Sequence, residues 1–244
     1  MIPANYFDMF SDDYYETVGI ASHKLKNMIS FVSSSYQLIS IQHPESLDFD
    51  FWNEIGTALE DMVTFMEKTS LCRYCLKPEF NSISINEILY NIPDETDELY
   101  PDSDRLFDFH IDHREMLVSG DAAQLTSAFK EITANCYDVT SDGDTITISA
   151  VPNADNSRVT ITITNTGHFP EIYLHKPGSL ESTVHTPTDA SILCKPFYTT
   201  KEKHFGIGLT IVGLVLHMHN GNITFHQYDD KSSVCITLPL ITAQ

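Results

Sequence analysis

The sequence predicts an α+β protein in which an N-terminal helical hairpin, able to pair with a second copy as a four-helix bundle, precedes an α/β sandwich domain. Three observations lead there. Apolar residues recur every seven positions through residues 14–41 and again through 47–75. Beyond Pro78 that period gives way to alternating, β-branched runs such as TITISAV and VTITITN. Helical stretches separate pairs of these runs, which indicates mostly antiparallel strands with the helices on one face. The chain is accordingly divided into residues 1–77 and 78–244.

In the first helix Val18, Leu25, Val32 and Ile39 form one row, with Ala21, Met28 and Tyr36 near its companion row. His43, Pro44, Glu45 and Ser46 break it. A second helix over residues 47–75 places Phe51, Ala58, Phe65 and Cys72 at the same spacing, beside Ile55 and Met62. Such a hairpin leaves an apolar stripe uncovered, and a second copy closes it, so a homodimer is expected. In the second domain NSISINEIL reads as a strand entering a short helix, and residues 94–104 as an acidic, solvated loop. Gly120 and Asp121 introduce a helix carrying Leu125, Phe129 and Ile132 as far as about residue 139. TITISAV and VTITITN, separated by PNADNSR, form a hairpin; a helix over residues 208–219 follows; NITFHQ and VCITLPL form a closing hairpin.

Charge and composition exclude several functions. The chain has 34 acidic residues against 14 basic ones, a net charge of −20 that repels phosphate backbones and anionic lipid, so nucleic acid is not an expected partner. Any phosphate-bearing ligand would need concentrated local donors and a divalent cation. The apolar stretch 207–218 is interrupted by Gly213 and His217 and falls short of the ~20 residues a membrane-spanning helix needs, so no membrane insertion is expected. MIPANYFDMFSDDYYE has neither the basic nor the apolar region of an export signal. Five cysteines, an odd number, suit a reducing compartment, and a cytoplasmic location is expected. Cys72 and Cys75 have CxxC spacing but no second pair in reach, so they read as reduced structural thiols.

The chemistry is carried by four short stretches in a fixed order. A helix bears Glu131 and Asn135; a strand ends in Asn165, Thr166 and Gly167; KPFYTTK follows at 195–201; and Gly206-Ile207-Gly208-Leu209 opens the next helix. A glycine before a helix is by itself weak, since it occurs wherever the backbone turns sharply. Together the four resemble the ATP-binding domain shared by histidine kinases, gyrase-type ATPases and heat-shock chaperones, over about residues 80–240. The resemblance implies ATP and Mg2+ as cofactors. It places Asn135 as the magnesium ligand, with Glu131, one turn earlier, orienting a water or the metal shell. Asn165 stands where the family usually has an aspartate that accepts the adenine amino proton; an uncharged acceptor weakens that bond by roughly 1 kcal/mol, nearly tenfold in affinity. Gly167 matches the glycine that lets the backbone approach the base. Thr199, Thr200 and Lys201 resemble the phosphate-contacting lid, while Gly206, Gly208 and Leu209 begin a helix whose N-terminal dipole favours anions. His204 and Phe205 occupy the start of a box that in many members begins with another glycine, and Phe169 stands where a second glycine often follows Gly167.

Upstream, SHKLKNMIS resembles the histidine-kinase phosphoacceptor box, with His23 as nucleophile and Asn27, one turn on, where the family orients a water for phosphatase action. Val18 and Leu25 in the buried row would put His23 on the outer face of the helix. The residue after the histidine is normally acidic; here it is Lys24, which cannot accept the proton while charged but can stabilise a phosphorylated His23.

Two readings follow. In the first, the protein is a soluble histidine kinase that autophosphorylates on His23 with Mg-ATP and passes the group to an aspartate of a response-regulator receiver domain. Only about twenty residues precede the histidine helix, so a separate sensor protein would supply its signal. In the second it is a phosphorelay histidine phosphotransferase, an adaptor whose kinase-like domain binds no nucleotide; Lys24 and Asn165 favour this. A third reading, a serine kinase acting as an anti-sigma factor, is opposed by the hairpin carrying His23.

Overall fold

The computed structural model describes residues 12–97, 100, 103–167, 172–175, 182–185, 190–199, 204–228 and 230–241. The chain forms two compact units, with the boundary between Tyr74 and Cys75.

The helical unit is a hairpin of α1 (Asp12–Gln42) and α2 (Trp52–Tyr74) joined by a 3-10 turn, Pro44–Asp48. The second helix starts later than expected because the proline opens a tighter turn and Phe51 takes a left-handed backbone, φ +64°. Tyr36 and Trp52 lock the closed end: their rings stack at 4.7 Å, the Tyr36 hydroxyl donates to the Trp52 carbonyl at 3.0 Å, and Trp52 Nε1 donates to Ser40 Oγ at 3.0 Å. The expected packing row needs correction. Leu25, Val32 and Ile39 lie exposed on the outside of α1, whereas Ser22, Ile29, Ser33, Tyr36 and Ser40 are the more shielded positions. The seven-residue repeat therefore marks a stripe left open by the hairpin, and not its interior.

In the other unit a five-stranded sheet has the order β2 (Leu106–Ile111), β4 (Thr145–Pro152), β5 (Arg158–Thr166), β9 (Lys231–Pro239), β8 (Asn222–Gln227). Only β2 and β4 run parallel. A small antiparallel ladder pairs β1 (Asn81–Ser84) with β3 (Leu117–Gly120), and another pairs β6 (Ile172–His175) with β7 (Ser182–His185). The period-two pattern decides which face is covered. Ile146, Ile148, Val159, Ile161, Ile163, Ile236 and Leu238 are buried, and buried with them are the apolar faces of α3 (Ile85–Asp97), α4 (Ala122–Tyr137) and α6 (Gly208–Met218). The alternate residues, Thr147, Ser149, Thr160, Thr162 and Thr164, form a hydroxyl-rich opposite face. A short α5 (Ala190–Leu193) precedes α6.

The α+β class with a two-layer sandwich is thus as the sequence predicts; the differences are local. The stretch 94–104 is not wholly a loop. α3 continues past Pro93 to Asp97, because Thr96 is buried and its hydroxyl donates to the Ile92 carbonyl at 2.8 Å. Strands β2, β3, β6 and β7 were not foreseen.

One buried network ties the ends of two helices together. Asp121 caps α4, accepting from the Gln124 amide and from the Glu79 amide, each at 3.0 Å. Its own amide donates to His219 Nε2 at 2.9 Å, while His219 Nδ1 donates to the Val215 carbonyl at 2.7 Å. This pattern requires the neutral imidazole, and burial pushes its pKa below the ordinary 6.5. The unfolded chain therefore binds the proton first. The stabilisation is fully present above pH ~6.5 and is lost as the pH falls from there through the folded value. Thermal denaturation at stepped pH is expected to show the Tm falling below pH ~6.5, with a shallower fall in His219→Gln, which keeps a donor and an acceptor but does not titrate.

Candidate nucleotide-binding site

The α4 helix brings Glu131 and Asn135 to one of its faces a single turn apart, both half-buried. Glu131 reaches the start of α6. A methyl group added to Gly208 would collide with Glu131 Oε2 and stand 3.3 Å from its Cδ, so the carboxylate lies against the glycine where a larger residue would push it aside. Gly206, two residues earlier, has φ +65°, and a Cβ there would lie 2.6 Å from the Tyr198 carbonyl oxygen. Phe197, also left-handed at φ +62°, donates its amide to the Gly206 carbonyl at 3.0 Å. The two ends of the lid sequence are joined at that point. Leu209 lies in the first turn of α6, half-buried.

Asn165 lies at the end of β5, nearly fully buried. Its amide is held on both sides: Nδ2 donates to the Thr166 carbonyl at 2.6 Å, and Oδ1 accepts from the Ser232 hydroxyl of β9 at 3.2 Å. Gly167 follows with φ +101°, and a Cβ there would stand 3.0 Å from the Val139 carbonyl just beyond α4. Its amide donates to the Asp230 carbonyl at 3.0 Å. The structure thus assembles Glu131, Asn135, Gly206, Gly208 and Leu209 on the α4 and α6 side, and Asn165 and Gly167 where β5 leaves the sheet. Thr199 is exposed. Thr200, Lys201 and Phe169 lie outside the described residues.

Residues 120–242 match the family of histidine kinase-, DNA gyrase B- and HSP90-like ATPases. The chain belongs to that family. The chain is similar to sporulation kinase C of Bacillus subtilis (strain 168), with 26% identity over 234 residues that cover 91% of this chain and 48% of that protein. The chain thus spans about half the length of that curated relative. Among solved structures, full-length ShkA in complex with AMPPNP superposes with a TM-score of 0.69 over 93% of this chain and 46% of that one, at 13% identity. The mycobacterial sensor histidine kinase MprB superposes with a TM-score of 0.53 over 68% of this chain and all of that one, at 18% identity. Together these place a histidine kinase-type ATP-binding domain in this chain.

The residues of this ATPase-family domain suit a triphosphate. Two glycines open α6, Gly206 closed in by backbone, and the first turn of that helix contains no acidic residue of its own while its N-cap, Ile207, makes no side-chain capping bond. Among the described residues no three His, Cys, Asp or Glu side chains cluster as a metal cage.

Sequence reasoning missed Ser232. Its role depends on a β5–β9 register, Asn165 opposite Ser232, that no local pattern announces. In the helical unit His23 is exposed, and Asn27 Nδ2 stands 3.4 Å from its Nδ1, one turn away. No helix among the described residues is long and apolar enough to cross a membrane. The five cysteines are thiols, with no disulfide between them; burial pushes the Cys194 thiol up to about 12, which keeps it protonated and unreactive.

Proposed function

We propose that the protein is a protein-histidine kinase that autophosphorylates on His23 with Mg-ATP and passes the phosphoryl group to an aspartate of a response-regulator receiver domain. The observation that carries this is the glycine-lined start of α6, where Gly206 is closed in by the backbone of Phe197 and Tyr198 and Gly208 faces Glu131 of α4. Asn135 would hold magnesium through its amide oxygen, with Glu131 beside it, while Asn165 would accept the base's amino proton through Oδ1, which retains a lone pair beyond the one Ser232 uses. Thr199, Thr200 and Lys201 would close on the phosphates. Magnesium neutralises the triphosphate in a chain whose own charge opposes it. A ring nitrogen of His23 then attacks the γ-phosphorus as the bond to the ADP oxygen breaks, and exposure on α1 suits that attack.

In this reading residues 1–77 serve for dimerisation and phosphotransfer and 78–244 for ATP binding. The exposed stripe of Leu25, Met28, Val32 and Ile39 supports a homodimer, since a second copy would bury it. A separate sensor protein and a cytoplasmic location complete the proposal. The alternative, a phosphorelay adaptor that receives phosphate on His23 from a receiver domain, is favoured by Lys24 and by the neutral Asn165.

One experiment separates them. With γ-labelled ATP and magnesium, the protein is expected to acquire acid-labile label that is lost entirely in His23→Ala. Label appearing only from a phosphorylated receiver domain, with no thermal shift on adding ATP, would select the adaptor. Label from neither donor would overturn both.

A further inference from the structure

The first turn of α6 has no acidic residue of its own and no side-chain cap, so its N-terminal amides and dipole favour an anion supplied from elsewhere. The protein supplies one. Glu131, from the middle of α4, presses its carboxylate against Gly208, filling the place that a methyl on that residue would take. The charge beside the helix start is thus a side chain's, brought there by the packing of α4 on α6. We propose that Glu131 is a gate on the phosphate seat: its carboxylate holds the anion position at Gly208, and a nucleotide phosphate must displace it in order to bind. The proposal rests on the assignment of Gly206 and Gly208 to phosphate binding, and deepens it. Two anions cannot share one helix turn without a cation between them, and the net charge of −20 adds to the repulsion. Glu131 therefore makes nucleotide affinity depend more steeply on the divalent ion than the phosphate donors alone would require.

The gate predicts opposite effects of one substitution on stability and on binding. In Glu131→Gln the side chain keeps its size and loses its charge. Without ligand, the variant is expected to melt at a lower temperature than the wild type, because α6 loses its compensating charge. Calorimetric titration with ADP in EDTA is expected to show the variant binding about three- to tenfold more tightly, with a smaller gain on adding magnesium. Glu131→Ala, which removes the side chain beyond Cβ, should tighten binding in EDTA likewise. Equal or weaker ADP binding by both variants in EDTA would overturn the gate, provided the wild type binds ADP in magnesium. Should the wild type bind no ADP even with magnesium, the phosphate-seat assignment falls and the gate falls with it.

Discussion

Replacing Gly206 by alanine is expected to reduce nucleotide affinity by roughly five- to a hundredfold while leaving the sheet folded. The residue sits at φ +65°, where an L side chain is strained, and its added methyl would lie 2.6 Å from the Tyr198 carbonyl oxygen and 2.7 Å from the Phe197 and Tyr198 carbonyl carbons. All three atoms are backbone, so no rotamer change relieves the contact. Relief requires moving the chain that carries Phe197, which loses the bond from its amide to the Gly206 carbonyl. Strain of about 1–3 kcal/mol at such a position opposes the shape that aims the first amides of α6, and each 1.4 kcal/mol is roughly a factor of ten in affinity. Titration calorimetry with ATP and magnesium, alongside far-UV circular dichroism, separates the local loss from unfolding. Wild-type affinity in the variant would place the phosphate seat elsewhere.

The largest effect on stability is expected at Phe129. Its ring is among the largest fully buried side chains, on the face of α4 shared with Leu125 and Ile132. Phe129→Ala removes most of that volume from a packed core, and such a change costs about 3–5 kcal/mol. For a unit of this size that lowers the Tm by roughly 10 °C. The single tryptophan, Trp52, stands in the other compact unit, stacked on Tyr36. The circular-dichroism transition of the α/β unit is therefore expected to move while the tryptophan fluorescence transition stays. A shift in both would mean that the units melt together.

What could be read from the sequence was whatever one periodicity controls. Both long helices follow a repeat of seven, and β4 and β5 alternate so regularly that Ile146, Ile148, Ile161 and Ile163 are all buried as expected. The direction of the helical stripe was misjudged, because the same repeat describes a row that packs inside a hairpin and a row left open on its outside. β2 was missed since Asp108 and His110 interrupt its apolar residues, and the α3 terminus because an acidic stretch is held helical by the burial of Thr96. In the candidate site the glycines stood out in the sequence because GIGL before a helix is a local pattern, and Gly206 does take a left-handed backbone there. The Ser232 bond to Asn165 and the Glu131 contact with Gly208 did not stand out, as each joins segments distant in sequence.

The strand order also fixes a sequence of assembly. β4 and β5 meet across a short turn, with Pro152 opposite Val159, and β8 and β9 across another, with Gln227 opposite Ser232. Both hairpins close short loops. The seam between β5 and β9 joins them and spans a far longer one, with Asn165 opposite Ser232, so loop-closure entropy sets this pairing after the local ones. The amide proposed to read the base lies on that seam. It acquires its Ser232 partner when the two halves of the sheet meet, so a chain halted at either hairpin holds the glycines and the strands but not yet a finished base-reading edge.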